Sequence, residues 1–394
     1  MPRSVVATDA LMQPIAQFSF GLRAGDLIYI GATAGTDAAR RLSGSTPGLV
    51  DTGAQARRMF SNLDLSLKLL GGRLEDVVRL KSYLADWRDL PGYRKATAEY
   101  LQSRVWCRST LGTPGFPLPQ AAVEAEMLAV VGRKPGPPVP FVNGDAPLLS
   151  PASSVMAGEQ HYCTAYPIDS GGNVAAGDIA LQAELALRNL AQTLQASGLS
   201  LSEIVMLNVT LSDIRLHQDF DKMFQRCFDA PYPARSIQTA SLEHPAMLLQ
   251  IESTAIKGGG RPVMGRGQPQ SLATASPGML AGDCLHMSGQ IGMLPDDTFA
   301  SGVQAQTEAA WARIHAILDE AGMQPDDVIH TTNYLTDWRH YADFNAGFAT
   351  GVSPPYPPRA TVLAGLVDPR ALIQIEALAN RNGRNAAVIG FRSR

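Results

Sequence analysis

The chain has 394 residues, of which 45% are hydrophobic and 18% charged, and its formal charge is −3. This is the composition of an ordinary globular protein with ample core, at a length that allows two to four domains. The acidic balance and the lack of a Lys/Arg-rich block leave no electrostatic case for nucleic acid, and no apolar run is long enough to span a bilayer.

The cysteines Cys107, Cys163, Cys227 and Cys284 show no paired metal spacing, and the seven histidines do not cluster. No metal and no cofactor are therefore expected, and scattered thiols suit a reducing cytoplasm. The opening residues lack the apolar core of a signal peptide, so a cytoplasmic location is expected.

One pattern is then written three times. A short apolar strand opens each copy, at Gly25–Gly31, more weakly at Gly158–Thr164, and at Gly282–Gln290. A helix follows. Phe60, Leu63 and Leu67 recur at helical spacing before Gly71, as do Leu187, Leu190 and Leu194 before Gly198, and Ala310, Ile314 and Ile317 before Gly322. Next come β-rich runs, Val77–Leu84, Ile204–Leu211 and Val328–Leu335, each closed by an aspartate: Asp86, Asp213, Asp337. Second helices are predicted at Tyr93–Leu101, Phe220–Phe228 and Tyr341–Phe348.

A Pro/Tyr/Arg stretch comes next, fullest at Pro354–Arg359, recognisable at Pro231–Arg235 and degraded at Trp106–Arg108. Each arginine stands 22 residues after its aspartate: Arg108, Arg235, Arg359. Closing strands are predicted at Ala122–Val130, Leu248–Ala255 and Leu372–Ala379, and one glutamate is singled out in each: Glu126, Glu252, Glu376.

Strands, helix, strand, helix, strand make a mixed sheet whose two helices cover one face. The bare faces must be buried elsewhere, most simply against one another. Gly/Pro-rich linkers divide the chain into domains at 1–133, 134–260 and 261–394.

Ser288-Gly289-Gln290, the Asp337…Asn345 spacing, Pro354–Arg359 and Gln374–Ala377 resemble the Rid family (YjgF/YER057c/UK114). The resemblance implies an α+β, chorismate-mutase-like fold, repeated three times as a single-chain pseudo-trimer with a central β-barrel and outer helices. It implies sites in the clefts between units, without cofactor, that hydrolyse 2-imino acids or their enamines to 2-keto acids and ammonia. The family arginine binds the substrate carboxylate, a task that suits a planar guanidinium. Carried over, this makes Arg359, Glu376, Asn345, Arg235 and Glu252 catalytic candidates. Ser288, Gly289, Arg108, Glu126 and Arg94 become candidate substrate-binding residues. Asp221 and Arg94 stand at the positions equivalent to Asn345, which suggests that the clefts have diverged. Two alternatives stay open: a specialised biosynthetic lyase, cyclase or chorismatase-like hydrolase, and a non-catalytic metabolite-binding protein. A second arginine facing a motif arginine's cleft would favour a dicarboxylate. The partner expected is a small carboxylate, with further pairing of pseudo-trimers left open.

Overall fold

The computed structural model describes residues 4–101, 107–132, 152–267, 273–383 and 387–389; Trp106 and most of the first linker lie outside them. Each repeat carries two helices: α1 (Thr52–Leu69) and α2 (Leu90–Leu101), α3 (Ile179–Ala196) and α4 (His217–Cys227), α5 (Val303–Glu320) and α6 (Tyr341–Gly351). The long helices bury the apolar stripe read from the sequence. In α1, Phe60, Leu63 and Leu67 are fully buried. Asp51 caps the N-terminus by accepting from the Ala54 N–H, and Gly71, at φ 76°, ends the helix in the left-handed region.

The β-rich runs form strands at the predicted bounds, Val77–Leu84, Ile204–Leu211 and Val328–Leu335. Each pairs antiparallel with a closing strand, Val123–Val130, Leu249–Ile256 or Ile373–Asn380. Each also pairs in parallel with the strand that contains or begins near its arginine: Cys107–Gly112, Ala234–Thr239 or Arg359–Leu363. The second helix makes that crossover, as parallel pairing requires.

The repeated aspartate is a structural cap. Asp86, Asp213 and Asp337 each accept from a backbone N–H two residues on and pair with Arg88, Arg215 and Arg339. The side-chain hydrogen bonds from those arginines hold all three carboxyls at about 2. The 22-residue interval thus measures one capped crossover.

Between the helices and its own sheet, each repeat has a separate hydrophobic core. The helix-free faces meet one another, as expected. Val78, Val155 and Ile329 share one buried cluster with Leu128, Tyr162 and Leu378. Tyr83, Leu111, Tyr166, Ile291 and Tyr334 share another. Both clusters draw on all three repeats.

The backbone ladders are three large sheets, of seven, five and six strands, and one two-stranded hairpin, Ser45–Thr46 with Leu49–Val50. Among the described residues the large sheets are linked by single bridges, Gly112 to Ser241 and Gln238 to Leu366, and not by one continuous ladder. Ala387–Ile389, near the end of the chain, pairs in parallel with Ser4–Val6 and adds a strand to the first sheet. No described helix is long and apolar enough to cross a membrane.

Candidate active site

The three arginines lie where one repeat meets the next. Each cleft takes its arginine from one repeat and its opposite wall from the following one. The third repeat faces the first, because the chain comes full circle.

In the cleft between the second and third repeats, Arg235 is fully buried. Its backbone N–H donates to Ser288 Oγ at 2.8 Å, and Asp221 Oδ1 lies 2.9 Å from its Nη1. Thr274 Oγ1 accepts from Nη2, and the Phe224 ring centroid lies 4.2 Å from the guanidinium carbon. Burial pushes the pKa of this arginine down from its ordinary value, against the charge of Asp221. Gln374 packs on Gly289, where an added Cβ would lie 2.4 Å from the amide carbon. Ser288 therefore walls the Arg235 cleft, and not that of Arg359 in its own repeat, while Gly289 lies against Gln374.

In the cleft between the first and second repeats, Arg94 hydrogen-bonds Glu243, whose side chain is only 2% exposed, and Arg108 Nη2 lies 3.9 Å from the same oxygen. The Arg108 N–H donates to Ser153 Oγ at 2.8 Å, and Tyr166 Oη donates to the Arg108 carbonyl at 3.0 Å. Gln250 Nε2 donates to Ser109 Oγ beside them. A protein carboxylate thus already sits on the arginines of both these clefts.

The cleft between the third and first repeats is different. Arg359 is 4% exposed, and Asn345 Oδ1 accepts from its Nη2. Asn345 Nδ2 in turn donates to the Tyr341 carbonyl at 2.8 Å. The rings of Phe348, Phe344 and Phe18 have centroids 4.5, 5.4 and 5.7 Å from the guanidinium carbon. Burial lowers the pKa of Arg359, against a hydrogen bond and charge from Tyr341. Among the described residues no carboxylate pairs with it, and Nη1 is buried without a hydrogen-bond partner there. The strand of the first repeat passes so close that a Cβ on Gly31 would lie 2.8 Å from both N and O of Arg359. Gly31 and Ser288 both sit at register shifts of their strands, where a bulge re-aims the chain.

Arg359 lines an open cavity with Phe18, Phe20, Tyr341, Thr361 and Glu124. Glu124 is half-buried, and burial pushes its carboxyl up to about 8. The closing strand of the first repeat holds two glutamates on one face. Val123, Ala125, Met127 and Ala129 point into the helix-side core, which turns Glu124 and Glu126 the other way. Counting two residues back from Glu126, Glu252 and Glu376 gives Glu124, Gln250 and Gln374. At this strand position, then, the first repeat alone carries a carboxyl and the other two an amide.

Glu126, Glu252 and Glu376 are not brought to the arginines. They line a small cavity where the three sheets meet, together with Arg79, Lys81 and His330. Lys81 Nζ pairs with Glu252 at 2.8 Å, and His330 Nε2 lies 2.9 Å from Glu126. Tyr83 Oη donates to Glu126 at 2.9 Å, and Asn208 Nδ2 donates to Glu376. Burial would raise the Glu126 carboxyl, but the His330 hydrogen bond and charge, with Lys81 and Tyr83, hold it below its usual value; Glu376 is raised by burial, with Lys81 opposing. The expectation of an arginine and a glutamate from one repeat in one site is therefore corrected. Residues two apart on the strand divide between cleft and centre. The signal for Glu124 lay in the sequence, as a glutamate where the other copies carry glutamine. Among the described residues no group of three or more His, Cys, Asp or Glu could hold a metal.

A family model described as endoribonuclease L-PSP matches the chain three times, over residues 8–131, 152–257 and 266–381. The chain belongs to this family, the Rid family. It is 26% identical over 130 residues to a 2-iminobutanoate/2-iminopropanoate deaminase of Dermatophagoides farinae, a match covering 33% of this chain and 98% of that protein. The crystal structure of RidA from the Antarctic bacterium Psychrobacter sp. PAMC 21119 is 30% identical, covering 30% of this chain and 99% of that one at a TM-score of 0.28. A crystal structure of a chorismatase matches at a TM-score of 0.56 and 13% identity, over 77% of this chain and 93% of that one, a likeness of fold.

Two buried pairs of this Rid protein lie outside the Arg359 cleft. Asp221→Ala strips the counter-charge from a fully buried arginine, and should cost about 3 kcal/mol of stability in urea unfolding. Lys81→Met leaves Glu252 buried among other carboxylates and should cost about as much, partly recovered in Lys81→Met/Glu252→Gln.

Proposed function

We propose that this Rid protein is a hydrolase for imine or enamine acids, working in the one cleft formed by Arg359 and Glu124. The observation that carries this is the asymmetry of the three clefts. Two motif arginines are engaged by Asp221 or Glu243, whereas Arg359 has no carboxylate partner among the described residues and shares its cavity with Glu124.

Arg359 anchors the substrate carboxylate through two charge-assisted hydrogen bonds, and Asn345 holds the guanidinium in place. Anchoring sets C2 and its nitrogen beside Glu124, so orientation is part of the catalysis. The raised carboxyl of Glu124 is protonated at neutral pH and acts as general acid. It gives its proton to the imine nitrogen. The carboxylate so formed takes a proton from water as the water oxygen bonds to C2 and the C=N π pair moves to nitrogen. Glu124 then protonates the amine of the carbinolamine, the C–N bond breaks, and the hydroxyl proton returns to Glu124 as the 2-keto acid forms. The net reaction is imine plus water to ketone plus ammonia. Ammonia release from 2-iminopropanoate generated in the assay tests this reading, and no acceleration over buffer would sink it.

The division at 133/134 and 260/261, a closed pseudo-trimeric barrel and a cytoplasmic setting belong to the same proposal. The ribonuclease in the family description finds no support in the acidic balance.

A further inference from the structure

We infer that the Arg359 cleft selects a substrate with two anionic ends and an apolar body, its far end held by Arg40. This rests on the reading of the cleft as the working site and names its substrate class.

The cavity has three zones. At the inner end stands Arg359, buried and without a counter-ion among the described residues. The middle is apolar, walled by Met12, Ile15, Phe18, Phe20, Pro117 and Leu118. These side chains favour a hydrocarbon or aromatic body between the ends of the ligand, with Thr36 and Thr361 as the uncharged polar residues of the lining. Ile15 is 42% exposed, a large apolar side chain left on the surface at this cleft. At the rim stands Arg40, exposed to solvent and lining the same cavity.

Arg40 forms no ion pair among the described residues. Its nearest acidic neighbour in sequence, Asp37, is turned away to Arg41 at 2.8 Å. The backbone of Arg40 lies at φ 66°, a left-handed conformation uncommon for a residue with a side chain. Its N–H donates to the Asp37 carbonyl, and its Nη2 reaches the Gln13 carbonyl at 3.4 Å in the segment that carries Met12 and Ile15.

Charge decides the class. The ionisable side chains lining the cavity are Arg40, Arg359, Tyr341 and Glu124. With Glu124 protonated, the wall carries two positive charges at neutral pH. A monocarboxylate neutralises one of them and a dianion both. The other two clefts meet the same requirement with their own carboxylates, Asp221 and Glu243. In a protein of net charge −3, a doubly positive apolar cleft also steers dianions inward at low salt.

The probes are stable 2-keto acids, which have the form of the product. Binding of 2-oxo-octanedioate and 2-oxo-octanoate is compared by titration calorimetry on the full chain. The dianion should bind about three- to fivefold tighter at low salt, as a rim ion pair allows, and the difference should shrink at 0.5 M NaCl, about the level where screening is strong. Arg40→Ala should abolish the difference and leave 2-oxo-octanoate unchanged, while Arg359→Lys should weaken both. Equal affinity for the two probes, or equal weakening of both by Arg40→Ala, would overturn the inference. Imine hydrolysis without a dianion preference would sink this inference and leave the proposed reaction standing. A dianion preference without imine hydrolysis would sink the reaction and leave this inference.

Discussion

Arg359→Ala should lower kcat/KM for imine hydrolysis by about a thousandfold, within the range of about 2–5 kcal/mol for truncating one partner of a buried charge pair. Arg359→Lys should lose nearly as much. It keeps the charge but loses the planar fork, and Phe344 and Phe348 leave a round ammonium without the stacking that a guanidinium enjoys. Arg108→Ala should leave kcat/KM within about twofold, since Arg108 belongs to a cleft already occupied by Glu243. Steady-state ammonia release on the three variants is the measurement. Equal losses from Arg108 and Arg359 would mean that the clefts are equivalent, and the single-site reading would fall. The lysine variant guards against misreading a folding defect, because it fills the same buried position.

Glu124→Gln should cut kcat by about a hundredfold to ten-thousandfold, the usual worth of a positioned acid–base group. Its signature is the pH profile. In the wild type, kcat/KM should fall as pH rises through about 8, where the buried carboxyl loses its proton. In Glu124→Gln the residual rate should show no such limb. The same shift has a stability counterpart. The carboxyl's folded pKa lies above its unfolded value of about 4.3. Its contribution is therefore complete below that value and is lost as pH rises through about 8. The wild type should be slightly less stable at pH 9 than at pH 6 relative to Glu124→Gln, in urea unfolding at both pH values. A wild-type profile flat through pH 8 would remove Glu124 from the acid role. A glutamine already stands at the equivalent strand position of the other two repeats, as Gln250 and Gln374, so the variant makes the first repeat like them there.

Most of the fold is legible in the residues. The runs Val77–Leu84, Ile204–Leu211 and Val328–Leu335 match their strands residue for residue, because β-branched runs between turn signals have few other options. The site is legible in part. Arg359 and Asn345 are predicted together and are found together, because a crossover of fixed length joins them within one repeat. Glu376 is predicted with them and is found in the central cavity instead. Its strand alternation was plain, but alternation says which face a side chain takes and not which neighbour that face meets.

Within one repeat the sequence is decisive: capped aspartates, stop glycines and apolar periods set each element and the interval to each arginine, since these depend on local backbone chemistry. Between repeats it is not. That Glu124 of the first repeat lines one cavity with Arg359 of the third, that Ser288 bonds Arg235, and that Glu243 closes on Arg94 depend on how three bare sheet faces pack around a common centre. Those contacts join residues 53 or more positions apart, in different repeats, and no local spacing encodes them. They decide which of three similar clefts is left open.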